Sequence, residues 1–373
     1  METGRYRLGD RLPPERHLAE MFQLSRPTVS HAVQKLVAEK LIRRTGRDGT
    51  LVTDLPPQKP MLYGLLILDQ GRPTESSIFT LMAREILRCA EMAGAGVMQH
   101  DPSTCEDPRD PSLLPRYESI VRQFIHRGVD GVLMMPQIIL PDQYVSATAS
   151  IMDELKRAEI PAVLIDSDIV RYPDRSEFDW VGIDNFSAGY ALARHFLKLG
   201  CRKIDFFAID TRHPTQEARI AGYLRAMEDF NIRWDADNIH HCNTSEKEHL
   251  AEILRRRRPD AILVVNDFQA ALIIRYALGA GIAIPGAMRV GSFDDLPMAG
   301  RPPVPLTTVR QPMVGLGAAA YWMLVRRINN PELPPMHVEL NGELVIRDSS
   351  GTRKTADPSA SNQRPMIPRN GKV

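Results

Sequence analysis

Two patterns of apolar residues divide the chain. Over residues 10–53, apolar side chains recur at helical spacing in PPERHLAEMF and RPTVSHAVQKLVAEKL, and RRTGRDGTLV then has the form of strand, glycine turn and strand. From residue 61 onward, buried-strand runs alternate with amphipathic helical stretches. The first pattern predicts a helix-turn-helix with a small β-hairpin wing, and the second predicts parallel sheets with helical crossovers.

The predicted strands of the second region are YGLLIL, GVLMM, AVLID, IDFFAI, AILVV and RVGSF. An alternation of strand and helix over nearly 290 residues is longer than one open sheet needs, so we expect a two-lobed α/β domain of doubly wound parallel sheets. We expect a small α+β winged helix-turn-helix at 1–53 and a proline-rich linker at 54–61. One lobe is expected at about 62–184 plus 300–328, and the other at about 185–299 plus 329–349. A disordered polar tail is expected at 350–373.

Composition narrows the class of protein. Hydrophobic residues make up 43% and charged residues 25% of the chain, which is typical of a globular protein. No stretch approaches the roughly 18 apolar residues of a membrane span, and the polar N-terminal segment lacks the apolar core of a secretory signal. The cysteines Cys89, Cys105, Cys201 and Cys242 have no short spacing typical of zinc sites or disulfide frameworks. We therefore expect a cytoplasmic protein with reduced thiols and no membrane partner.

The net charge of the chain is +1, but the charge is unevenly distributed. Residues 1–54 contain ten Lys and Arg against seven Asp and Glu, and the rest of the chain carries a small acidic excess. A basic excess in a helix-turn-helix segment favours nucleic acid as the partner, although a difference of a few charges is common by chance.

The start of the second predicted helix carries the residues suited to reading DNA. Ser25 is positioned to cap this helix, and Pro27 fits its first turn, where no intrahelical N–H is required. The major groove of DNA admits one helix, whose exposed N-terminal side chains meet base edges and phosphates. The candidates are Ser25, Arg26, Thr28 and His31. Arg26 suits either a guanine edge or a phosphate, and the sequence leaves both alternatives open.

The segment LPPERHLAEMFQLSRPTVSHAVQKLVAEKLIRRTGRDGTLV resembles the winged helix of the GntR family. The resemblance implies that the helix-turn-helix contacts DNA and that the glycine turn forms the tip of the wing. By this resemblance the DNA-binding residues are Arg16, Ser25, Arg26 and Thr28, with Gly49 and Thr50 at the wing tip.

Two departures from the family pattern affect these expectations. Ser30 stands where the family often has arginine, so a phosphate or base contact of that arginine is missing here and the operator sequence would differ. Only METGRYRLGD precedes the matching segment, so the family's first helix is missing, which would expose apolar surface at Leu18, Phe22 and Leu36. Either the true start of the protein lies upstream of Met1, which is our hypothesis, or the helix is supplied otherwise.

Polar residues follow several strands of the second region where those strands end. In open α/β sheets, ligands bind beyond the carboxyl ends of the strands, and carboxylate and amide groups there can bind the vicinal hydroxyls of a sugar. Aromatic faces would cover the C–H surface of such a ligand. The residues at these positions are Asp166, Asn266, Asp267, Asp294 and Asp295.

Strings from VDGVLMMP at 129–136 to LVIRDS at 344–349, including ARIAGYLRAMEDFNI at 218–232, resemble the sensor domain of LacI/GalR regulators and the related periplasmic sugar-binding proteins. The resemblance implies two lobes joined by three crossings, with an effector in the cleft between them. It implies effector contacts by Arg219, Asn266 and Asp294, with Phe79, Asp166, His213 and Thr215 as further candidates.

Several of these candidates have a structural alternative. Asp267 is expected to cap the helix that follows it rather than touch a ligand, and Asp295 either caps a helix or faces water. Arg219 could instead form a surface ion pair, and Phe79 could belong to the core.

Other clusters point away from catalysis and cofactors. The run Arg255–Arg258 fits the end of a helix, where cations suit the dipole. His240, His241 and Cys242 alternate along a predicted strand, which is poor geometry for a metal. The sequence contains neither G-x-G-x-x-G nor the phosphate-binding G-x-x-x-x-G-K. We therefore expect neither an enzyme nor a bound cofactor or metal.

Together the two resemblances imply a fusion of a GntR-type reader with a LacI-type sensor, as in arabinose-type repressors. The implied partners are double-stranded operator DNA, a small-molecule effector expected to be a sugar, and a second copy of the chain in a homodimer. The effector would change operator affinity by favouring one of two states, with release of DNA as the expected sign and co-repression left open. A solute-binding component of a transporter would use the same lobes, but the N-terminal reader argues against it.

Overall fold

The computed structural model describes residues 9–22, 24–38, 41–46, 49–53, 60–67, 77–99, 113–136, 143–209, 213–241, 247–301 and 303–351. The chain divides into two compact units, residues 1–61 and 62–373. The expected linker at 54–61 and the expected tail from 350 lie almost wholly outside the described residues.

The described part of the first unit contains two helices and a three-stranded antiparallel sheet. Its elements are β1 (Arg11–Leu12), α1 (Glu15–Phe22), α2 (Arg26–Ala38), β2 (Ile42–Arg44) and β3 (Thr50–Val52). The strands lie in the order β1-β3-β2. The predicted two-stranded wing therefore has a third strand, because Arg11 and Leu12 pair with Leu51 and Thr50.

A small apolar core holds the first unit together. Leu18 and Ala19 of α1 pack against Val29 and Val33 of α2, and the sheet closes the core with Ile42 and Val52. Because Val29 and Val33 are four residues apart, they lie on one face of α2. The opposite face of the helix, including its first turn, is left to solvent in this unit.

The first lobe of the second unit is built on a six-stranded sheet in the order β14-β8-β7-β6-β4-β5, all parallel. Long helices cover it, and α10 packs against α3 and the central strands. The elements are β4 (Leu62–Leu66), α3 (Ile78–Met92), β5 (Gly96–Gln99), α4 (Leu113–Arg127), β6 (Gly131–Met134), α5 (Gln143–Arg157), β7 (Ala162–Ile165), β8 (Asp179–Ile183), α10 (Met313–Asn329) and β14 (His337–Leu340).

The second lobe has its own six-stranded sheet, in the order β10-β9-β11-β12-β13-β15, parallel except for the last strand. The elements are α6 (Asn185–Lys198), β9 (Ile204–Ala208), α7 (Pro214–Asp229), β10 (Ile239–His241), α8 (Lys247–Arg257), β11 (Ala261–Val264), α9 (Asp267–Gly279), β12 (Arg289–Asp294), β13 (Thr307–Arg310) and β15 (Glu343–Val345). The strands predicted from GVLMM, AVLID, IDFFAI, AILVV and RVGSF all form in these two sheets, and each is buried along most of its length, as parallel strands covered on both faces must be.

Across the described residues the chain crosses between the two sheets three times, and the last two crossings differ from the expected ones. The first crossing follows β8, at Asp184. Residues 307–310 form β13 of the second sheet, although 300–328 are expected in the first lobe, and residues 337–340 form β14 of the first sheet, although 329–349 are expected in the second. Both strands are short and partly polar, so no local pattern shows which sheet each one joins. Hydrogen bonds to distant strands decide it, with β13 pairing to β12 and β14 to β8.

Candidate functional site

Ser25 closes the N-terminus of α2. Its Oγ accepts a hydrogen bond from the backbone N–H of Thr28 at 3.3 Å, and the two hydroxyl oxygens lie 2.7 Å apart. This is the N-cap predicted for Ser25, and the prediction is confirmed. The cap fixes the first turn of the helix, so the side chains beside it project from a defined tip.

The tip of α2 is exposed in its unit. Ser25, Arg26, Thr28 and His31 are all exposed, whereas Val29 on the opposite face is buried in the core. An exposed helix N-terminus also presents unpaired N–H groups, which attract phosphate. The geometry therefore suits insertion of this tip into a groove, and the contact made by each side chain stays a prediction.

Arg16 and the wing flank this tip in sequence. Arg16 of α1 pairs with Glu20 one turn later, with 3.3 Å between Nε and Oε1, and both side chains are mostly exposed. Such a pair contributes little free energy, so the guanidinium remains available to a phosphate. Gly49 has a φ of +86°, which favours glycine, and its carbonyl accepts hydrogen bonds from the N–H and hydroxyl of Thr45. Thr50 follows as the first residue of β3.

The apolar surface expected from a missing helix is smaller than predicted. Leu18 is buried and Leu36 is half-buried, because Ile42 and the rest of the small sheet complete the core beside them. Phe22 at the end of α1 is 58% exposed, as expected. The prediction is therefore wrong for Leu18, holds only in part for Leu36 and is confirmed for Phe22.

In the second unit, Asp166 and Asp294 stand at the carboxyl ends of β7 and β12, one in each lobe. Their φ angles are +66° and +113°, values that side chains other than glycine rarely adopt and that occur preferentially at functional sites. Both carboxyl groups are largely buried, and burial raises the pKa of each, while the charge of Arg219 opposes the rise. The two acids therefore face one guanidinium from opposite lobes.

Arg219 is buried, and two of its nitrogens are held by hydrogen bonds. Its Nε donates to Asn185 Oδ1 at 2.8 Å and its Nη1 donates to the carbonyl of Val265 at 2.6 Å. Its Nη2 lies 3.9 Å from Asp294 Oδ1, and the guanidinium carbon lies 4.5 Å from the centre of the Phe293 ring. Arg219 is thus no surface ion-pair residue, and it connects α6, α7, β11 and β12 where they meet the cleft.

Two glycines bring α7 onto α6 closely enough to place Arg219. A Cβ added to Gly189 of α6 would lie 2.0 Å from the backbone oxygen of Arg219, and one added to Gly222 of α7 would lie 1.9 Å from the backbone oxygen of Phe186. Real Cβ atoms do not tolerate such distances, so glycine is required at both positions. The two helices touch backbone to backbone, which explains why SAGYAL and ARIAGY each have a glycine at the contact.

His213 and Thr215 border the same cluster at the N-terminus of α7. The Nδ1 of His213 lies 2.7 Å from the hydroxyl of Thr215. Burial, reinforced by the charge of Arg219, lowers the pKa of His213 to about 4, so the imidazole is neutral near pH 7. The structure thus gathers four predicted residues, Asp166, His213, Thr215 and Asp294, near the guanidinium of a fifth, Arg219.

Asn266, and not Asp267 as expected, caps α9. Asn266 Oδ1 caps α9 by accepting from the N–H of Gln269 at 2.9 Å. Asp267, expected to be the cap, is fully buried and accepts hydrogen bonds from the hydroxyls of Ser292 and Thr308. It therefore ties α9 to β12 and β13. Asn266 adjoins Val265, whose carbonyl binds Arg219, so an effector contact through its amide nitrogen stays a prediction.

Asp295 is engaged by two arginines, and Phe79 begins a helix of the first lobe. Asp295 pairs with Arg310 at 2.7 Å and with Arg347 at 2.6 Å, so it neither caps a helix nor faces water, and it braces β13 against the last part of the lobe. Phe79 lies half-buried in the first turn of α3. Its role as an effector contact stays a prediction.

An open pocket lies between the lobes beside the cluster and is lined by both Asp166 and Thr215. Two of its other lining residues are absent from the predicted set: the Arg175 guanidinium lies 5.1 Å from the centre of the Trp180 ring and 2.7 Å from Glu339. No sequence signal marks them, because Arg175 lies in a loop and Trp180 within a strand. Only the fold brings them to the pocket.

An ion pair joins the two lobes. Arg171 follows β7 in the first lobe, and its Nη2 lies 2.8 Å from Glu217 Oε1 in the first turn of α7 in the second lobe. Arg171 is 60% exposed and Glu217 is 20% exposed. The pair therefore crosses from one lobe to the other and stays partly exposed.

The remaining clusters are structural. Arg257 and His240 both pair with the buried Asp205, at 3.0 Å and 2.9 Å, so the arginine run is not wholly solvated.

Among the residues that the structure describes, no group of His, Cys, Asp and Glu is arranged to hold a metal ion. Within the same residues no helix is long and apolar enough to cross a membrane.

Comparison with known families agrees with both units. Residues 1–52 match the family of bacterial regulatory proteins called gntR, and residues 193–350 match the periplasmic binding protein-like domain. The first match covers the helix-turn-helix and its wing. The second covers nearly all of the second lobe together with α10 and β14.

Relatives with known names are transcription regulators. The HTH-type transcriptional regulator DegA of Bacillus subtilis is 30% identical over 254 residues, which are 67% of this chain and 72% of the relative. The arabinose metabolism transcriptional repressor of Geobacillus stearothermophilus is 25% identical over 360 residues, which are 93% of each chain.

Solved structures share the fold. A LacI-family transcriptional regulator from Enterococcus faecium with bound ribose superimposes with a TM-score of 0.60 at 22% identity, over 77% of this chain and 98% of that one. The exposed tip of α2, the two-lobed fold and the relatives agree with one another. The chain belongs to the HTH-type transcriptional regulators, a family without enzymatic activity, and joins a gntR-type DNA-binding segment to a periplasmic-binding-protein-like domain.

Proposed function

We propose that the protein is a repressor whose affinity for an operator is controlled by a small sugar bound in the cleft of the second unit. The observation that carries this proposal is the cluster around Arg219, in which acids from both lobes face one buried guanidinium. Carboxylates and a neutral imidazole can accept and share hydrogen bonds with sugar hydroxyls. The ribose bound to one neighbour and the name of the arabinose repressor support a sugar as the ligand.

The first unit binds the operator through the tip of α2. Arg26 reads a guanine edge or clamps a phosphate, Ser25 and Thr28 contact the backbone, and His31 lies one turn further along the groove. Arg16 and the wing at Gly49 and Thr50 flank these contacts. Support comes from the exposure of these side chains and from the cap that fixes the tip.

The functional form is a homodimer on a pseudo-palindromic operator. A symmetric pair of readers matches two half-sites, and large exposed apolar side chains on the sensor favour pairing with a second copy. Phe268 at the start of α9 is 45% exposed, and Met298 in the contacting 3-10 turn at Pro297–Gly300 is 36% exposed. In the first lobe, Met92 at the end of α3 is 75% exposed.

The effector acts by favouring one arrangement of the two lobes. Asp166 belongs to the first lobe and Arg219 and Asp294 to the second, so a ligand that bonds to all three stabilises the closed form. Closure turns the first lobe, which is joined directly to the linker, and so alters the spacing of the two readers in a dimer. Operator release on effector binding is the expected sign, and the protein acts in the cytoplasm, where the DNA is.

The operator contact is tested by changing Arg26 to Ala. Arg26→Ala lowers the affinity for each operator half-site by about ten- to a hundredfold and leaves the melting temperature unchanged, because the side chain is exposed. The operator is selected from random duplexes, and binding is measured by fluorescence anisotropy at fixed salt. Lys35→Ala, which removes an exposed cation from the last turn of the same helix, is the control and has a smaller effect. Equal losses of affinity in both variants would mean that charge alone, and not the tip, binds DNA.

A further inference from the structure

A short arm of the first lobe reaches toward the second lobe. The arm is the loop at 166–178, between β7 and β8. The buried carboxylate of Asp168 fixes its conformation, because it accepts hydrogen bonds from the N–H of the next residue at 2.6 Å and from the N–H of Ser176 at 3.1 Å. Arg175 ties the arm to β14, with 2.7 Å between its Nη2 and Glu339 Oε1. The arm therefore moves with the first lobe.

Arg171 of this arm binds Glu217 in the first turn of α7, which belongs to the second lobe. Its Nε and Nη2 both donate to Glu217 Oε1, at 3.1 Å and 2.8 Å. A planar guanidinium that places two N–H groups on one oxygen accepts few relative positions of its partner. Because α7 is packed closely against α6 at Gly189 and Gly222, Glu217 moves with the second lobe.

The arm and α7 also form two walls of the pocket between the lobes. The lining residues are Tyr172 and Arg175 from the arm, and Pro214, Thr215 and Ala218 from α7. Arg171 and Glu217 are neighbours of these residues along the chain. Opening the lobes separates the two walls, and the ion pair is lost once the separation exceeds what its side chains can follow. The pair therefore favours the present arrangement of the lobes over more open ones.

The arrangement that the pair requires is also the one that assembles the candidate effector site. Asp166 begins the arm of the first lobe, and its buried carboxyl group faces the charge of Arg219 in the second lobe. Asp294 of the second lobe lies 3.9 Å from the same guanidinium. Any stabilisation of this arrangement before a ligand arrives lowers the free energy that the ligand must supply to close the lobes.

We propose that the Arg171–Glu217 pair is a latch that holds the lobes in the arrangement able to bind the effector, and that it thereby sets how much effector the protein needs. The link to the effector rests on the proposed function, whereas the latch itself acts in the ligand-free protein. Arg171 is 60% exposed, and so exposed a pair shifts the balance between arrangements by about two- to fivefold without locking one of them. A latch of this strength leaves the lobes under the control of the ligand.

The distance between the lobes tests the latch without any ligand. Spin labels are attached to the full chain at two exposed positions, through Gln123→Cys in α4 and Arg194→Cys in α6, and double electron–electron resonance measures the distances between them. Cys105 and Cys242 are first changed to serine, and the two buried cysteines do not react. The labelled chain is diluted with unlabelled chain, so that only distances within one copy contribute.

Glu217→Gln keeps the size of the side chain and removes its charge. We expect it to lower the population at the wild-type distance, relative to all other distances, by about two- to fivefold. Salt at about 1 M should do the same to the wild type and change the variant little, because salt screens an exposed pair. Lys156→Gln breaks an exposed pair with Glu177 inside the first lobe, and as the matched control it should leave the distances unchanged. Identical distance distributions in the wild type and Glu217→Gln, at low and at high salt, overturn the proposal.

Exchanging the two charges separates the pair from its members. Arg171→Glu and Glu217→Arg should each lower the population at the wild-type distance, and the two together should restore part of it, because the contact is remade with opposite charges. A double variant that is no better than the worse single variant would contradict a latch, since each residue would then act through its own element alone.

Failure of the latch and failure of the proposed function give different results. Calorimetry compares the wild type with Glu217→Gln for whichever of ribose, arabinose, glucose and cellobiose binds the full chain, and we expect an affinity about two- to fivefold weaker in the variant. If the lobe distances respond to the substitution but operator affinity responds to no sugar, the latch stands and the regulatory role falls. If operator affinity responds to a sugar with the same dose dependence in both proteins, the regulatory role stands and the latch is wrong.

Discussion

The two sites of this protein are built in opposite ways. The DNA-reading tip consists of neighbouring residues from Ser25 to His31, all exposed apart from the buried Val29 and half-buried Ser30, and fixed by one side-chain cap. The cleft gathers Asp166, Arg219 and Asp294 from positions far apart in sequence, buries them and holds two of them at unusual backbone angles. A local site can change its contacts without disturbing the fold, whereas an assembled site shares its residues with the fold.

This difference predicts that substitutions separate into two classes. Those in the tip change operator binding and spare stability, as expected for Arg26→Ala. Those around the cleft change the free energy of unfolding of the second unit, the affinity for the effector, or both.

The largest expected effect is on the stability of the second unit. Asp267→Ala removes a buried carboxylate that accepts from Ser292, Thr308 and the N–H of Leu296, and it leaves two buried hydroxyls and one half-buried N–H unpaired. We expect the free energy of unfolding of this unit to fall by about 3 kcal/mol or more. Chemical denaturation followed by circular dichroism measures it, with the exposed Asp237→Ala as control. Equal stabilities of the two variants would show that the buried network does not hold the lobe.

A smaller loss is expected where the two helices touch. Gly189→Ala forces a methyl group against the backbone oxygen of Arg219, so α7 must shift away from α6. We expect a loss of about 2 kcal/mol in the free energy of unfolding and weaker effector binding, because the guanidinium moves with its helix. Gly279→Ala at the end of α9 is the control, since nothing lies within 4 Å of its added Cβ. A stable Gly189→Ala variant with normal effector affinity would contradict the close contact.

The residues of the cleft make the stability of the second unit depend on pH. The pKa of Asp294 is raised to about 8, so the folded protein holds a proton there that the unfolded chain releases above about pH 4. Stability of the second unit should therefore fall as the pH rises from about 6.5 to about 8, by at most about 1.4 kcal/mol per pH unit. His213 contributes only below about pH 6.5, because its pKa is lowered in the folded state.

Thermal melts of the wild type and of Asp294→Asn at the two pH values measure this effect. The variant should lose most of the pH dependence. A slope that is the same in both proteins would assign the proton to another group.

The smallest expected effect is on the first unit. Ser25→Ala removes the hydroxyl that accepts from the N–H of Thr28, and we expect the free energy of unfolding of this unit to fall by about 0.5–1 kcal/mol. The second unit should be unaffected. Ser25→Asn, which can also cap the helix, should restore the stability measured by denaturation. Failure of asparagine to do so would mean that the cap is not what the serine provides.

Local signals are sufficient for the parts of the fold that are local. The N-cap at Ser25 and the central strands of both sheets follow from spacing and residue type, because the interactions that form them lie within a few residues. The places of β13 and β14 could not be predicted, since hydrogen bonds to distant strands decide them. The same limit explains why the lobe boundaries near 300 and 329 differ from the structure.

The candidate site divides in the same way. Asp166 and Asp294 can be predicted because polar residues at strand ends face a cleft, and Arg219 follows from a family resemblance. Asp267 is expected to cap a helix, because its three partners come from elements that follow it by more than 20 residues and leave no local signal. Asn185, Arg175 and Trp180 carry no local signal either, so only the folded lobes reveal their places.

The measurement that tests the account most directly is operator affinity with and without a sugar bound in the cleft. The full chain is titrated onto the selected operator at fixed salt, first alone and then with a sugar that binds the cleft, at saturation. We predict that the compound weakens operator binding by at least about tenfold, and that Asp294→Asn needs more of it for the same effect. An operator affinity that is identical at every concentration of a compound known to fill the cleft would contradict the claim that the two units act together.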